Sequence, residues 1–219
     1  MGKKGWSLWT VALILVLLAL VVVALNQQGY INFPIPNGGS QGGSATLGVA
    51  GKVGIGVTVE FADGSIKEVT PSTLTLIPLT VYFQGQPISK ITWNTAVLID
   101  WSGGDLTSLT LSGPMEVKAN TGIVLRKENT YRAYSGSNMA PKNQLFTYWS
   151  FSLEASEIEY DLGGGSFTLT CTISLNATAM FSSGTSDLKS ATTSTNVPIE
   201  ITSAGLSVLQ VSITPQIFK

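Results

Sequence analysis

A chain of 219 residues with 11% charged and 44% hydrophobic side chains, 12 basic against 13 acidic, and no histidine is closed to several function classes at once. The balanced charge leaves no basic patch or stripe of the kind that holds nucleic acid. Without histidine there is no Ser-His-Asp triad, Cys-His pair or histidine-ligated zinc. The single cysteine, Cys171, excludes an internal disulfide, so stability must come from packing and sheet hydrogen bonds.

Lys3 and Lys4 precede an apolar run from Leu8 to Leu25, interrupted only by Trp9-Thr10 near its start. A bilayer's hydrocarbon core needs about 20 such residues as a helix. No charge falls between Lys4 and Lys52, so the two lysines alone set the orientation. Positive residues stay inside, which places everything after Leu25 outside the cytoplasm. A retained anchor is the favoured expectation. A secretory signal cut near Val22-Val23-Ala24 and a pilin-type cut after Lys3-Lys4-Gly5 are the alternatives, and all three export the remainder.

Asn26 to Pro36 carries Tyr30, Ile31, Phe33 and Ile35 among Pro34 and Pro36, and a Gly/Ser-rich stretch follows from Asn37 to Ser44. This reads as a stalk and a flexible tether. The sharper reading makes Tyr30, Ile31, Phe33 and Ile35 a strand that can pair with a neighbouring subunit's sheet edge. The predicted organisation is residues 1–5 cytoplasmic, 6–25 a transmembrane helix, 26–46 stalk and tether, and 47–219 an extracytoplasmic β domain.

From Leu47 the pattern has period two. Val53, Ile55, Val57, Val59 and Phe61 share a face, and Ala62-Asp63-Gly64-Ser65 supplies a hairpin turn with two residues at positive φ. Further strands are predicted over Ile66–Thr70, Thr73–Phe83, Ile88–Trp101 and Leu106–Leu111, with Pro78 at an edge or bulge. In Ser166–Asn176, Phe167, Leu169, Cys171, Ile173 and Leu175 alternate with hydroxyl residues, the mark of a sheet with one wet face. Gln144–Leu153 and Glu157–Leu162 are predicted strands, and Ser/Thr-rich Ser182–Asn196 a long loop. Ile199–Ile213 closes the fold, with a bulge where the parity shifts at Val208-Leu209. The expected class is all-β: nine to eleven strands in an antiparallel β-sandwich of the jelly-roll or immunoglobulin-like kind, with no helix after the anchor. Two small sandwiches divided near Ser135–Asn143 are the alternative.

Few residues carry chemistry. If Glu157, Glu159 and Asp161 lie on a strand they share a face, and three carboxylates there could ligate Ca²⁺, although no calcium-loop spacing is present. A solvated strand face explains them as well, and no other cofactor is expected. Cys171, on the apolar face of its strand, reads as a small buried hydrophobe. Asn176-Ala177-Thr178 is a glycosylation sequon, predicted at the end of its strand.

Lys3-Lys4-Gly5 followed by an apolar helix resembles archaeal pilins and the membrane-anchored accessory proteins of the archaeal motor filament. The histidine-free, weakly charged, Ser/Thr-rich composition resembles surface proteins of thermophilic archaea and their viruses. The resemblance covers the N-terminus and composition only. It departs from pilins at Trp6, and where the apolar helix ends early in a Gly-rich tether. Apart from that resemblance, an exported β domain with an anchor, a tether, many surface hydroxyls and no catalytic histidine reads as a non-enzymatic subunit of a surface assembly, a virion shell or a cell-surface filament or sheath. Its expected partners are the membrane and other copies or surface proteins, with no nucleic acid and no small-molecule substrate. The alternative is a tethered binding module for a glycan, a surface layer or a partner protein.

Overall fold

The computed structural model describes residues 48–71, 76–135 and 143–219. The predicted membrane helix, stalk and tether, with Tyr30, Ile31, Phe33 and Ile35, lie outside the described residues. Among the described residues no helix is long and apolar enough to cross a membrane.

The described residues form twelve strands and one helix, in order: β1 (Gly48–Phe61), β2 (Ile66–Val69), β3 (Leu79–Tyr82), β4 (Ile88–Ser102), β5 (Leu106–Ala119), β6 (Val124–Ser135), β7 (Gln144–Glu154), α1 (Ala155–Leu162), β8 (Gly165–Phe181), β9 (Ser186–Thr202), β10 (Gly205–Val208), β11 (Gln210–Thr214) and β12 (Gln216–Ile217). They form two antiparallel sheets. The first runs β12-β1-β4-β7, with β2 beside β12 on the same edge of β1; the second runs β3-β11-β9-β8-β5-β6, with β10 also on β9.

The sheets enclose one hydrophobic cluster running from Val49 to Phe218, and residues on both sides of 136–142 enter it. Period two decides who goes in. Val53, Ile55, Val57 and Val59 of β1 and Leu169, Cys171, Ile173 and Leu175 of β8 are buried, while Phe61 and Phe167 pack partly buried at its rim. β8 has the wet outer face its alternation predicts. There Ser174 and Thr192 hydroxyls lie 3.0 Å apart and Thr170 Oγ1 donates to Asn196 Oδ1 at 2.9 Å.

Three hairpins use one turn. After Phe61, Ala119 and Phe181, the residue three further on is Gly64, Gly122 or Gly184, with φ of 83°, 95° and 81°. In each, the glycine N–H donates back to the first residue's carbonyl at 2.9 Å. Asp63 keeps negative φ, which corrects the expectation of two positive-φ residues. Its carboxylate instead accepts from Ser65 N at 2.8 Å and Ser65 Oγ at 2.6 Å. Those Ser65 hydrogen bonds, side chain first, hold the Asp63 carboxyl below the usual carboxylate range.

Two predicted elements are overturned. The expected loop Ser182–Asn196 is mostly β9, sixteen of whose seventeen residues pair along β8. Ala191, Thr193, Thr195, Val197 and Ile199 alternate inward. The buried hydroxyls are satisfied: Thr193 Oγ1 donates to Thr214 O at 2.6 Å and Thr195 Oγ1 to Ile55 O of the facing sheet at 2.7 Å. A hydrogen-bonded threonine costs little to bury, and its β-branch suits a strand.

The expected strand Glu157–Leu162 is α1. Ala155 and Ile158, three apart, are its buried face. Glu154 and Glu157 form a reciprocal capping box at its start, with Glu154 N–H donating to Glu157 Oε2 at 3.0 Å. Gly163, at φ 68°, ends it by donating to Glu159 O at 2.9 Å. The predicted parity shift is present: β9 pairs Ile199 with Val208 but Asn196 with Ser212, one extra residue on the β10–β11 side. Leu209, at the break, donates to the carbonyl of Pro198, a residue with no N–H to return.

Candidate functional site

Each sheet has two edges, and their lengths differ. β2, β3 and β12 have four, four and two residues; β6 and β7 have twelve and eleven. The two long edges border the same flank, where side chains of β6 reach across to β7. Tyr134 Oη donates to Thr147 Oγ1 at 2.6 Å, and Arg126 Nη1 to Ser152 O at 3.3 Å. The Arg126 guanidinium also sits 5.7 Å from the Phe151 ring centre, which stacks on Trp93 at 5.4 Å.

Two cavities open along this flank. One of about 480 Å³ lies between Leu125, Arg126, Leu153, Ile158, Tyr160 and Asp161. The other, about 600 Å³, is lined by Arg132, Ala133, Tyr134, Phe146, Thr147 and Tyr148. Phe146 and Tyr148, 59% and 68% exposed, line the larger of these cavities, while Tyr131, 66% exposed, stands on the outer face of β6 in the other sheet.

The two edges differ chemically. β6 carries Arg126, Lys127, Glu128 and Arg132, charges that discourage pairing with another strand. β7, QLFTYWSFSLE, has no proline and no charge before Glu154 at its end. It pairs with β4 from Lys90–Glu154 to Asp100–Gln144 without a register shift, so no bulge twists its outer side away. Among the described residues, the other side of β7 has no strand.

The ladder shows which groups face outward. Trp101 N–H donates to Asn143 O at 3.0 Å, and these two residues are directly opposite in the register. Alternate residues exchange ladder bonds in an antiparallel pair. Odd-numbered residues of β7 therefore bond to β4, and the N–H and C=O of Phe146, Tyr148, Ser150 and Ser152 point to the free side. Arg126 takes the Ser152 carbonyl. Phe146 to Ser150 remains as an edge beside the larger cavity.

The sequence-predicted site residues lie elsewhere or do not converge. On α1, Glu157 and Asp161 are one turn apart, while Glu159 projects from the other side, so the shared strand face does not exist. Glu157 is engaged in the capping box. Among the described residues no group of three His, Cys, Asp or Glu side chains is placed to hold a metal ion. Asn176 is not at a strand end, since β8 continues to Phe181. It stands on the wet face between Ser112 of β5 and Ser190 of β9, accepting from Ser190 Oγ at 2.8 Å. Cys171 is buried, and burial pushes its thiol far above the usual range.

Sequence reasoning did not find the flank because it did not find β6. Most of that strand is exposed on both faces, so it has little hydrophobic alternation to read. In comparisons with known proteins, no family model matches the chain and no curated protein is significantly similar to it.

Proposed function

We propose that this chain is a non-enzymatic structural protein, a membrane-anchored subunit of a surface assembly such as a virion shell or a cell-surface filament or sheath. In this reading Leu8–Leu25 anchors it, its β domain lies outside the cytoplasm, and packed domains build the assembly. The sandwich would be of the jelly-roll or immunoglobulin-like kind, a reading supported by the chain's repeated passage between the two sheets. The observation that carries the proposal is the β7 edge: long, regular, uncharged until its end and flanked by exposed Phe146 and Tyr148. Natural proteins guard such edges unless they use them, and aromatics are enriched at interfaces.

The alternative of a tethered binding module draws on the same flank, whose cavities of about 480 and 600 Å³ and exposed tyrosines suit a glycan or a peptide. The test is the size of the full-length chain extracted in mild detergent. Oligomers are expected, and Phe146→Lys with Tyr148→Lys should reduce them to monomers while leaving the circular dichroism unchanged. A wild-type chain that is monomeric at every concentration overturns the structural reading.

A further inference from the structure

We propose that the free edge of β7 receives Tyr30–Ile35 of a second copy of this chain as an added antiparallel strand, with Ile31, Phe33 and Ile35 opposite Ser150, Tyr148 and Phe146. The inference rests on the reading of the chain as an assembly subunit, and it names the partner of that same edge.

Backbone parity supports it first. In an antiparallel strand every second residue bonds to one neighbour, and the others face away. Pro34 and Pro36 are two apart. If Ile31, Phe33 and Ile35 bond to β7, both prolines fall on the side with no partner, where a missing N–H costs nothing. The same prolines then block a further strand, so the sheet grows by one strand and stops. The opposite parity would set Pro34 against β7 and lose a ladder bond.

The side chains agree with that register. Hydrogen-bonded partners place their side chains on the same face of the sheet. Phe146, Tyr148 and Ser150 point outward, away from the core. Ile31, Phe33 and Ile35 would join them there and cover the two exposed aromatics. Neither Tyr30–Ile35 nor Gln144–Ser150 carries a charge, so no ion has to be desolvated. The lengths match as well: Arg126 already occupies the Ser152 carbonyl, leaving room for a segment of about six residues.

The tether supplies the reach. Residues 36–47 separate the segment from β1, and about twelve residues of Gly-rich chain span about 19 Å on average and up to about 40 Å when extended. Each copy would offer one donor segment and one acceptor edge at different places, a head-to-tail contact that propagates into a filament or closes into a ring. Docking of the segment on its own domain would satisfy the edge and leave no contact for a neighbour.

A pairwise disulfide experiment tests this on the full-length chain in detergent. One population carries Phe33→Cys and the other Tyr148→Cys; Tyr148 is exposed, and the buried Cys171 stays out of reach of the oxidant. Mixed and mildly oxidised, they should give a dimer on a non-reducing gel. Asn32→Cys, of the opposite parity, should give at least tenfold less. If a chain carrying both Phe33→Cys and Tyr148→Cys closes only within itself, the second copy is ruled out as the occupant. Equal cross-linking from positions 32 and 33 refutes the register. Oligomers that form without any cross-link overturn the strand pairing and leave the assembly reading intact. Monomers without a cross-link overturn both.

Discussion

Gly113 and Gly184 both have positive φ, yet adding one methyl group should have very different consequences at the two sites. At Gly184, in the β8–β9 turn, an added Cβ meets no atom within 4 Å. Gly184→Ala should therefore cost only the left-handed backbone penalty, about 1–2 kcal/mol. Gly113 lies inside β5, and its Cβ would sit 1.8 Å from the Ser174 carbonyl oxygen and 2.9 Å from its carbon, both in the backbone of β8. No rotamer relieves that overlap, so β5 must move away from β8. The flanking ladder pairs, Ser112–Asn176 and Met115–Ile173, are then strained or lost. Two ladder bonds at about 1 kcal/mol each, with about 1–3 kcal/mol of overpacking, put Gly113→Ala at roughly 3–5 kcal/mol. That is a large share of a stability of about 5–15 kcal/mol. Urea titration followed by circular dichroism gives both values by linear extrapolation. Equal losses at the two glycines would refute the close approach of β5 and β8 on which the estimate rests.

Leu169→Asp should prevent folding or cost more than about 4 kcal/mol, because it places an unpaired charge in the core. Thr170→Asp, on the wet face, should cost about 1 kcal/mol or less in the same urea assay. The Cys171 thiol should react with a thiol reagent only on unfolding. Its folded pKa lies above the unfolded value of 9.0, so its contribution is fully present below pH 9 and falls away as the pH rises above it. Between pH 8 and 10.5 the wild type should lose about 2 kcal/mol more than Cys171→Ala, measured by urea midpoints, and parallel curves would refute the burial argument.

Where a strand buries a wholly apolar face, the sequence by itself determined the structure. Val53 to Val59 and Leu169 to Leu175 could be assigned to a core because period-two burial must appear as period-two hydrophobicity. The absence of histidine and the low charge are likewise complete at the level of sequence. Elsewhere the tertiary structure decided. Thr193 and Thr195 look like loop residues until carbonyls of Thr214 and Ile55 accept their hydroxyl protons, a compensation no local pattern contains. Glu157 and Glu159 alternate like strand residues, but the capping box with Glu154 and the burial of Ile158 make the segment a helix. β6, largely exposed on both faces, exists because β5 offers it an edge. The flank follows from that: β7 could be predicted as a strand, but only the pairing order of the two sheets places it at an edge beside β6 with Phe146 and Tyr148 uncovered. A strand with a wholly apolar face can be read from residues near in sequence, whereas edge position depends on which strands are missing from one side, and that is settled only when the whole chain has packed.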